Sequence, residues 1–241
     1  MAIALILAGG IGARMGEKIP KQFIQVDGKP VVAYTLENFQ RHAQIDAIVA
    51  VCLDGWQDEL KTIAGRYGIS KLKWVVAGGA DVQESIRNGV FFLEGKAHDE
   101  DIVVVHDGIR PLVDEGVLTD VIDKAVQYGN AVTSLPYNEQ IFIADDAVST
   151  TRFIPRDTVR RVATPQAYRF DLLLSKYREA YEKGIGIQKS HYTNTMMVSL
   201  GVRLYFAAGS DRNIKLTTRD DLELFKAYVR IARQAAEQEK R

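Results

Sequence analysis

The stretch Leu7-Ala8-Gly9-Gly10-Ile11-Gly12-Ala13-Arg14-Met15-Gly16-Glu17-Lys18-Ile19-Pro20-Lys21-Gln22-Phe23 follows directly on the apolar run Ile3 to Leu7. A run that is apolar without alternation is a strand buried on both faces, and the loop after it sits at the strand's carboxyl end. Glycines at 9, 10, 12 and 16 remove Cβ atoms where backbone N–H groups approach an anion and where φ turns positive. Arg14 and Lys21 add full charges to those partial ones. The loop reads as a phosphate cradle, against the plainer alternative of an ordinary flexible glycine loop.

The spacing excludes the commonest phosphate loops. No glycine here is followed by Lys-Ser or Lys-Thr at the distance a Walker A loop requires. The run Gly10-x-Gly12-x-x-x-Gly16 is one residue too long for the dinucleotide fingerprint, and Pro20 falls where the helix after that fingerprint is already running. A nicotinamide-dependent oxidoreductase is therefore only a runner-up.

Outward from the loop, short apolar runs alternate with amphipathic patterns. Strand-like runs are Ile3 to Leu7, Ala47 to Leu53, Lys73 to Val76, Ile102 to Val105, Ala131 to Leu135 and Arg203 to Ala208. Helical patterns cover Val31 to Arg41, Trp56 to Tyr67, Val82 to Leu93 and Glu115 to Tyr128. This alternation predicts an α/β fold: a doubly wound, mostly parallel, Rossmann-like sheet in a single domain spanning residues 1–241. Asp81 is placed to cap the third helix, and Thr218-Arg-Asp-Asp221 reads as a capping box opening the last one. From 136 to 169 the alternation breaks into short β-like pieces around Asp145-Asp146, with Arg152, Arg156, Arg160 and Arg161. So long an excursion is a functional or interaction arm, or else a solvated charged hairpin.

Composition sets the remaining bounds. With 241 residues and 46% hydrophobic content, the chain buries one sizeable core. Lys plus Arg and Asp plus Glu both total 31, so no global field recruits nucleic acid or an anionic membrane, and any phosphate site is local. The single cysteine, Cys52, lies inside an apolar run and reads as a buried small hydrophobe. No apolar run approaches the ~20 residues of a membrane span, and no basic n-region with a long apolar h-region opens the chain. A cytoplasmic protein is expected.

Open α/β sheets bind ligands beyond the carboxyl ends of their strands. The first strand delivers Ala8 to Lys21, the third Gly78-Gly79-Ala80-Asp81 and a helix carrying Ser85, and the fourth His106-Asp107-Gly108-Ile109-Arg110-Pro111. A later segment delivers Asp211-Arg-Asn-Ile-Lys215. Carboxylates and cations on one edge suit a nucleoside triphosphate with Mg²⁺, a hard cation that prefers carboxylate and phosphate oxygens. Asp107 also reads as a turn or cap aspartate, and His106 as a packed histidine. Four scattered histidines give no zinc spacing, and no Gly-x-Ser-x-Gly elbow is present.

Taken in order, Leu7-Ala-Gly-Gly-x-Gly-x-Arg14-Met, Pro20-Lys21-Gln22-Phe23, Gly78-Gly79, Ser85, His106-Asp107-x-x-Arg110-Pro111, Thr164-Pro165-Gln166 and Asn213-Ile-Lys215-x-Thr cover nearly the whole chain. Together they resemble the cytidylyltransferases that activate small polyol phosphates, a family that includes methylerythritol phosphate and ribitol phosphate cytidylyltransferases. The resemblance implies that Ala8, Gly9, Gly10 and Gly12 embrace CTP, that Arg14, Lys21 and Lys215 contact its phosphates, and that Gly79 and Ser85 line the cytosine pocket. It implies that Asp107 and Asp211 hold Mg²⁺ and orient the acceptor, with Arg110 and Gln140 on the acceptor side. It further implies a homodimer whose arm carries Arg156 into the neighbouring site. Three places depart from the family pattern: Val82 where an arginine is usual, Glu139-Gln140 in place of Asp-Thr, and Thr193-Asn194-Thr195 in place of Thr-Asp-Asp/Glu. Two of the three fall on the acceptor side, leaving the acceptor open. A relative that binds nucleotide but has lost catalysis is the second alternative.

Overall fold

The computed structural model describes residues 1–10, 19–188 and 192–238. In chain order the elements are β1 (Ala2–Ala8), a 3-10 turn (Lys21–Phe23), the small pair β2 (Gln25–Val26) and β3 (Lys29–Pro30), α1 (Val31–Arg41), β4 (Ala47–Cys52), α2 (Gln57–Arg66), β5 (Leu72–Ala77), α3 (Val82–Phe92), β6 (Ile102–Asp107), α4 (Glu115–Tyr128), β7 (Asn130–Pro136), β8 (Ile141–Ile143), β9 (Arg152–Ile154), β10 (Arg160–Arg169), α5 (Phe170–Lys183), α6 (Thr193–Ser199), β11 (Phe206–Ala208) and α7 (Arg219–Gln238).

Seven strands form one sheet in the order β5-β4-β1-β6-β10-β7-β11, parallel except for β10, which runs against both neighbours. The apolar runs explain the layering. In β1, Ala2, Ala4, Ile6 and Ala8 pack into a cluster with side chains of α1, α2 and α4, while Ile3 and Leu5 join a second cluster with α3, α5 and α6. Helices thus cover both faces, as a strand with no polar side requires. A third cluster around Ile109, Leu216, Leu222 and Phe225 seats α7 against the loop after β6. Asp81 caps α3 by accepting from Glu84 N, and Thr218 and Asp221 exchange the expected pair of capping bonds. Cys52 is buried, and burial pushes its thiol up to about 11.

From β1 the chain moves outward through β4 to β5 and then returns to β6 on the other side of β1. The strand order therefore reverses between β1 and β6, the position where open α/β sheets bind their ligands. Leu7 lies opposite Asp107 in that pair. At this point Gly108 is obligatory, because a Cβ there would sit 2.8 Å from the Leu7 carbonyl oxygen.

Two expectations need revision. Arg160–Arg169 is not part of a free excursion: it is a sheet strand, with a register shift between Ala163 and Gln166, so the projecting arm lies between β7 and β10 and is built on the β8–β9 pair. Its polar start and Thr164-Pro165 break the apolar pattern that marks the other central strands. The run Arg203 to Ala208 pairs only over Phe206–Ala208, where it meets β7. Among the described residues, no helix is long and apolar enough to cross a membrane.

Candidate active site

The sheet topology brings three loops to the β1/β6 edge. Ala8 ends β1, and its carbonyl accepts from Gln22 Nε2 at 2.7 Å, which ties the far end of the glycine-rich loop back to its start. Gly9 and Gly10 follow. A Cβ on Gly9 would lie 3.6 Å from Ser85 Oγ, and one on Gly10 would lie 3.4 Å from Lys21 Cε, so Ser85 and Lys21 flank the loop. Gly12 and Arg14 lie outside the described residues.

The loop after β5 is organised by Ser85, which accepts from Gly79 N at 2.9 Å and donates to the Asp81 carbonyl at 2.7 Å. Gly79 tolerates no side chain: a Cβ would meet Glu84 Cγ at 2.4 Å and the Glu84 main-chain carbon at 2.9 Å. The Gly79 backbone is thus packed directly against the start of α3.

Asp107 is the electrostatic centre. Arg110 Nε donates to its Oδ2 at 2.9 Å, Lys215 Nζ approaches Oδ1 at 3.2 Å, and Thr164 Oγ1 lies 3.2 Å from Oδ2. Burial alone would raise this carboxyl, but the Lys215 ammonium and the Arg110 guanidinium outweigh it and hold the group well below the usual carboxylate range. Next to it, burial pushes the His106 imidazole down to about 4. His106 Nε2 lies 3.1 Å from the Arg110 carbonyl, which can only accept, so the proton sits on Nε2 of a neutral ring. His106 is a packed residue that holds the Asp107–Arg110 turn, as the plainer reading had it.

A cavity of about 250 Å³ opens at this point, lined by Leu7, Val82, Asp107, Thr164, Asn194 and Lys215 among others. A second of about 290 Å³ lies on the other side of Arg110 and Lys215, lined also by Ser134, Arg161 and Asp211. The expected convergence is therefore divided. Asp107, Arg110 and Lys215 meet, whereas Asp211 pairs with Arg161 in the adjoining hollow. Gln140 and Arg156 share a hollow on the arm with Phe142 and Phe153, away from Asp107.

Of the departures, Val82 and Asn194 line the cavity at Asp107. Thr195 turns into its own helix start, bonding Tyr192. Three contributors have no role in the sequence reading: Thr164, Asn213 and Arg161. Thr164 works through its hydroxyl as well as its carbonyl, and Asn213 through its amide as well as its carbonyl, contacts set by where the fold brings distant segments together. A hint lay only in their place within ordered motifs.

Residues 2–231 match the family model described as IspD, 2-C-methyl-D-erythritol 4-phosphate cytidylyltransferase. The chain belongs to this cytidylyltransferase family. It is 60% identical over 230 residues to the ribitol-5-phosphate cytidylyltransferase of Lacticaseibacillus paracasei, covering 95% of this chain and 98% of that one. Against the 2-C-methyl-D-erythritol 4-phosphate cytidylyltransferase of Geobacter metallireducens the identity is 34% over 233 residues, covering 94% and 97%. The solved 4-diphosphocytidyl-2C-methyl-D-erythritol synthase of Anaerococcus prevotii superposes with a TM-score of 0.81 at 25% identity, covering 95% of this chain and 96% of that one. The activity class is nucleotidyl transfer, and the α/β fold read from the alternating runs is the family's fold.

Proposed function

We propose that this cytidylyltransferase acts in the cytoplasm and joins CTP to ribitol 5-phosphate, forming CDP-ribitol and pyrophosphate. The observation that carries the acceptor is the 60% identity to a ribitol-5-phosphate cytidylyltransferase across nearly the full length of both chains. The change at Asn194, in the wall of the cavity at Asp107, supports an acceptor other than methylerythritol phosphate.

A phosphate monoester has its second pKa at about 6, so the acceptor phosphate is already ionised at neutral pH. One of its oxygens attacks the α-phosphorus of CTP in line, a new P–O bond forms, the bond to the β-phosphate breaks, and pyrophosphate leaves. No strong general base is needed, which agrees with a His106 that is neutral and buried. The protein's task is to align two anions that repel and to stabilise charge gathering on the α-phosphate and the leaving group. In this reading Gly9, Gly10 and Gly12 embrace the triphosphate, while Arg14, Lys21 and Lys215 neutralise it. Gly79 and Ser85 receive the cytosine. Asp107 and Arg110 orient the acceptor.

Magnesium fits one feature of the site: Asp107 is partly buried yet anionic, a hard oxygen donor. Among the described residues no group of three or more His, Cys, Asp or Glu is gathered. Magnesium at triphosphate sites takes one or two carboxylates and completes its shell with phosphate oxygens and water. Asp107, with Asp211 as the second candidate, would hold it, and the ion would draw charge from the phosphates.

The acceptor's remaining contacts are assigned to a second copy of the chain. Phe142 and Phe153 face each other across the β8–β9 pair and are 57% and 67% exposed, an apolar surface that a partner would cover. Arg156 and Gln140, on the same arm, would then reach the partner's acceptor. A pyrophosphate-release assay with CTP that crosses ribitol 5-phosphate, 2-C-methyl-D-erythritol 4-phosphate and glycerol 3-phosphate tests the reading. Turnover is expected with ribitol 5-phosphate at a kcat/KM at least about tenfold above the others. Preference for methylerythritol phosphate would overturn the acceptor.

A further inference from the structure

The geometry points to Asn213 as a positioning residue for nucleotidyl transfer, one that closes a ring of hydrogen bonds around Asp107 and thereby fixes Lys215. The inference rests on the nucleotidyl-transfer reading of this site.

Asn213 is 5% exposed and belongs to an irregular segment between β11 and α7, so neither helix nor strand geometry sets its path. Two contacts do. Its Nδ2 donates to the Thr164 main-chain carbonyl at 2.7 Å, and its own carbonyl accepts from Arg110 Nη1 at 2.8 Å. Arg110 reaches Asp107 Oδ2 through Nε, and Thr164 Oγ1 contacts both the Asp107 amide, at 3.1 Å, and Oδ2. Asp107, Arg110, Asn213 and Thr164 thus form a closed ring drawn from three distant parts of the chain: the end of β6, the register shift of β10 and the segment before α7. Lys215, two residues after Asn213, meets Asp107 from that same segment.

The amide orientation is unambiguous, because the Thr164 carbonyl can only accept and must face the NH₂ group. The other end of the amide, Oδ1, is buried without a hydrogen-bond partner. Burying an unpaired acceptor is unfavourable, and an unsatisfied group of this kind in a folded protein calls for an explanation. The explanation is that this position is shaped for the donor. Among the described residues, the hydrogen bonds of Asn213 run to Thr164, Arg110 and Ser210, not to Gly9, Gly10, Gly79 or Ser85. It acts through Thr164, Arg110 and Lys215, and a shift of about 1 Å in such groups costs transfer rates about 100-fold.

The test uses the full chain with CTP and ribitol 5-phosphate. Asn213→Leu keeps the volume and deletes the donor. It is expected to lower kcat about 10- to 100-fold in protein that stays folded at the assay temperature, a larger factor than the loss of CTP affinity that calorimetry reads from the displaced Lys215. Should Asn213→Leu fail to fold, Asn213→Ser, which is too short to reach the Thr164 carbonyl and buries no charge, carries the same expectation. A purely structural residue would not show the second expectation. Because Asn213 acts through Thr164, adding Asn213→Leu to Thr164→Val should cost no more than about twofold beyond the poorer single variant, a non-additive cycle. A kcat within twofold of wild type, losses that multiply, or a loss that tracks unfolding at the assay temperature would each overturn the assignment. A wild-type protein that releases no pyrophosphate would instead remove the reading on which it rests.

Discussion

At the residue scale, two neighbours on β6 titrate in separate windows. His106 is held neutral by burial, with a pKa of about 4 against an unfolded value near 6.5. Between those values the unfolded chain binds more protons, so stability is complete above about pH 6.5 and is lost as pH falls toward 4. The loss is on the order of 3 kcal/mol. Urea midpoints measured from pH 7 to pH 4.5 should therefore fall more steeply for wild type than for His106→Gln, and equal slopes would contradict a buried neutral imidazole. Asp107 has the opposite sign. Its depressed pKa adds stability that is present above about pH 4 and is lost only as pH falls further, toward the folded value, so it contributes a constant amount between pH 5 and 8. Asp107→Asn removes the anion that Arg110 and Lys215 share, and kcat is expected to fall about 100-fold across that whole range with no new pH dependence. A variant as active as wild type would show the carboxylate to be structural only.

Among the elements, legibility follows how local each feature is. The first strand of the sheet and the caps at Asp81 and Thr218 are short-range patterns, and each stands where the residues place it. Asp107 was legible because a carboxylate that ends a wholly apolar strand has few places to go. By contrast β10 hides in its sequence. It begins with two arginines, carries Thr164-Pro165 at its register shift, and buries polar Gln166 within an antiparallel slot that nothing local announces. The pairing of Asp211 with Arg161 is hidden for the same reason, since it joins the start of β10 to a segment 50 residues away. The loop between β5 and α3 supports a sharper expectation. In Gly79→Ala a Cβ collides with Glu84, including a main-chain atom, so the loop must open. Calorimetry should show CTP binding weakened about tenfold or more, equivalent to about 1.4 kcal/mol, and unchanged affinity would remove this loop from the nucleotide site.

For the whole molecule, the arm decides whether one chain is a complete enzyme. An isologous dimer in which each arm serves the other's site makes a distinctive prediction. Lys21→Ala and Arg156→Ala are each expected to be nearly inactive, yet a refolded equal mixture should recover about a quarter of wild-type activity, because half the dimers are mixed and each of these holds one intact site. A mixture no more active than its parents would place Arg156 in its own chain's site or outside catalysis. In the proposed reaction the cytidylyl group itself passes from a triphosphate at the β1/β6 edge to a polyol phosphate. Its most direct measurement is the fate of CTP labelled at the α-phosphate when the wild-type protein is incubated with ribitol 5-phosphate and magnesium. All of the converted label should appear in CDP-ribitol, in equal amount to the pyrophosphate released. Label in CMP, or no conversion of CTP at all, would contradict it.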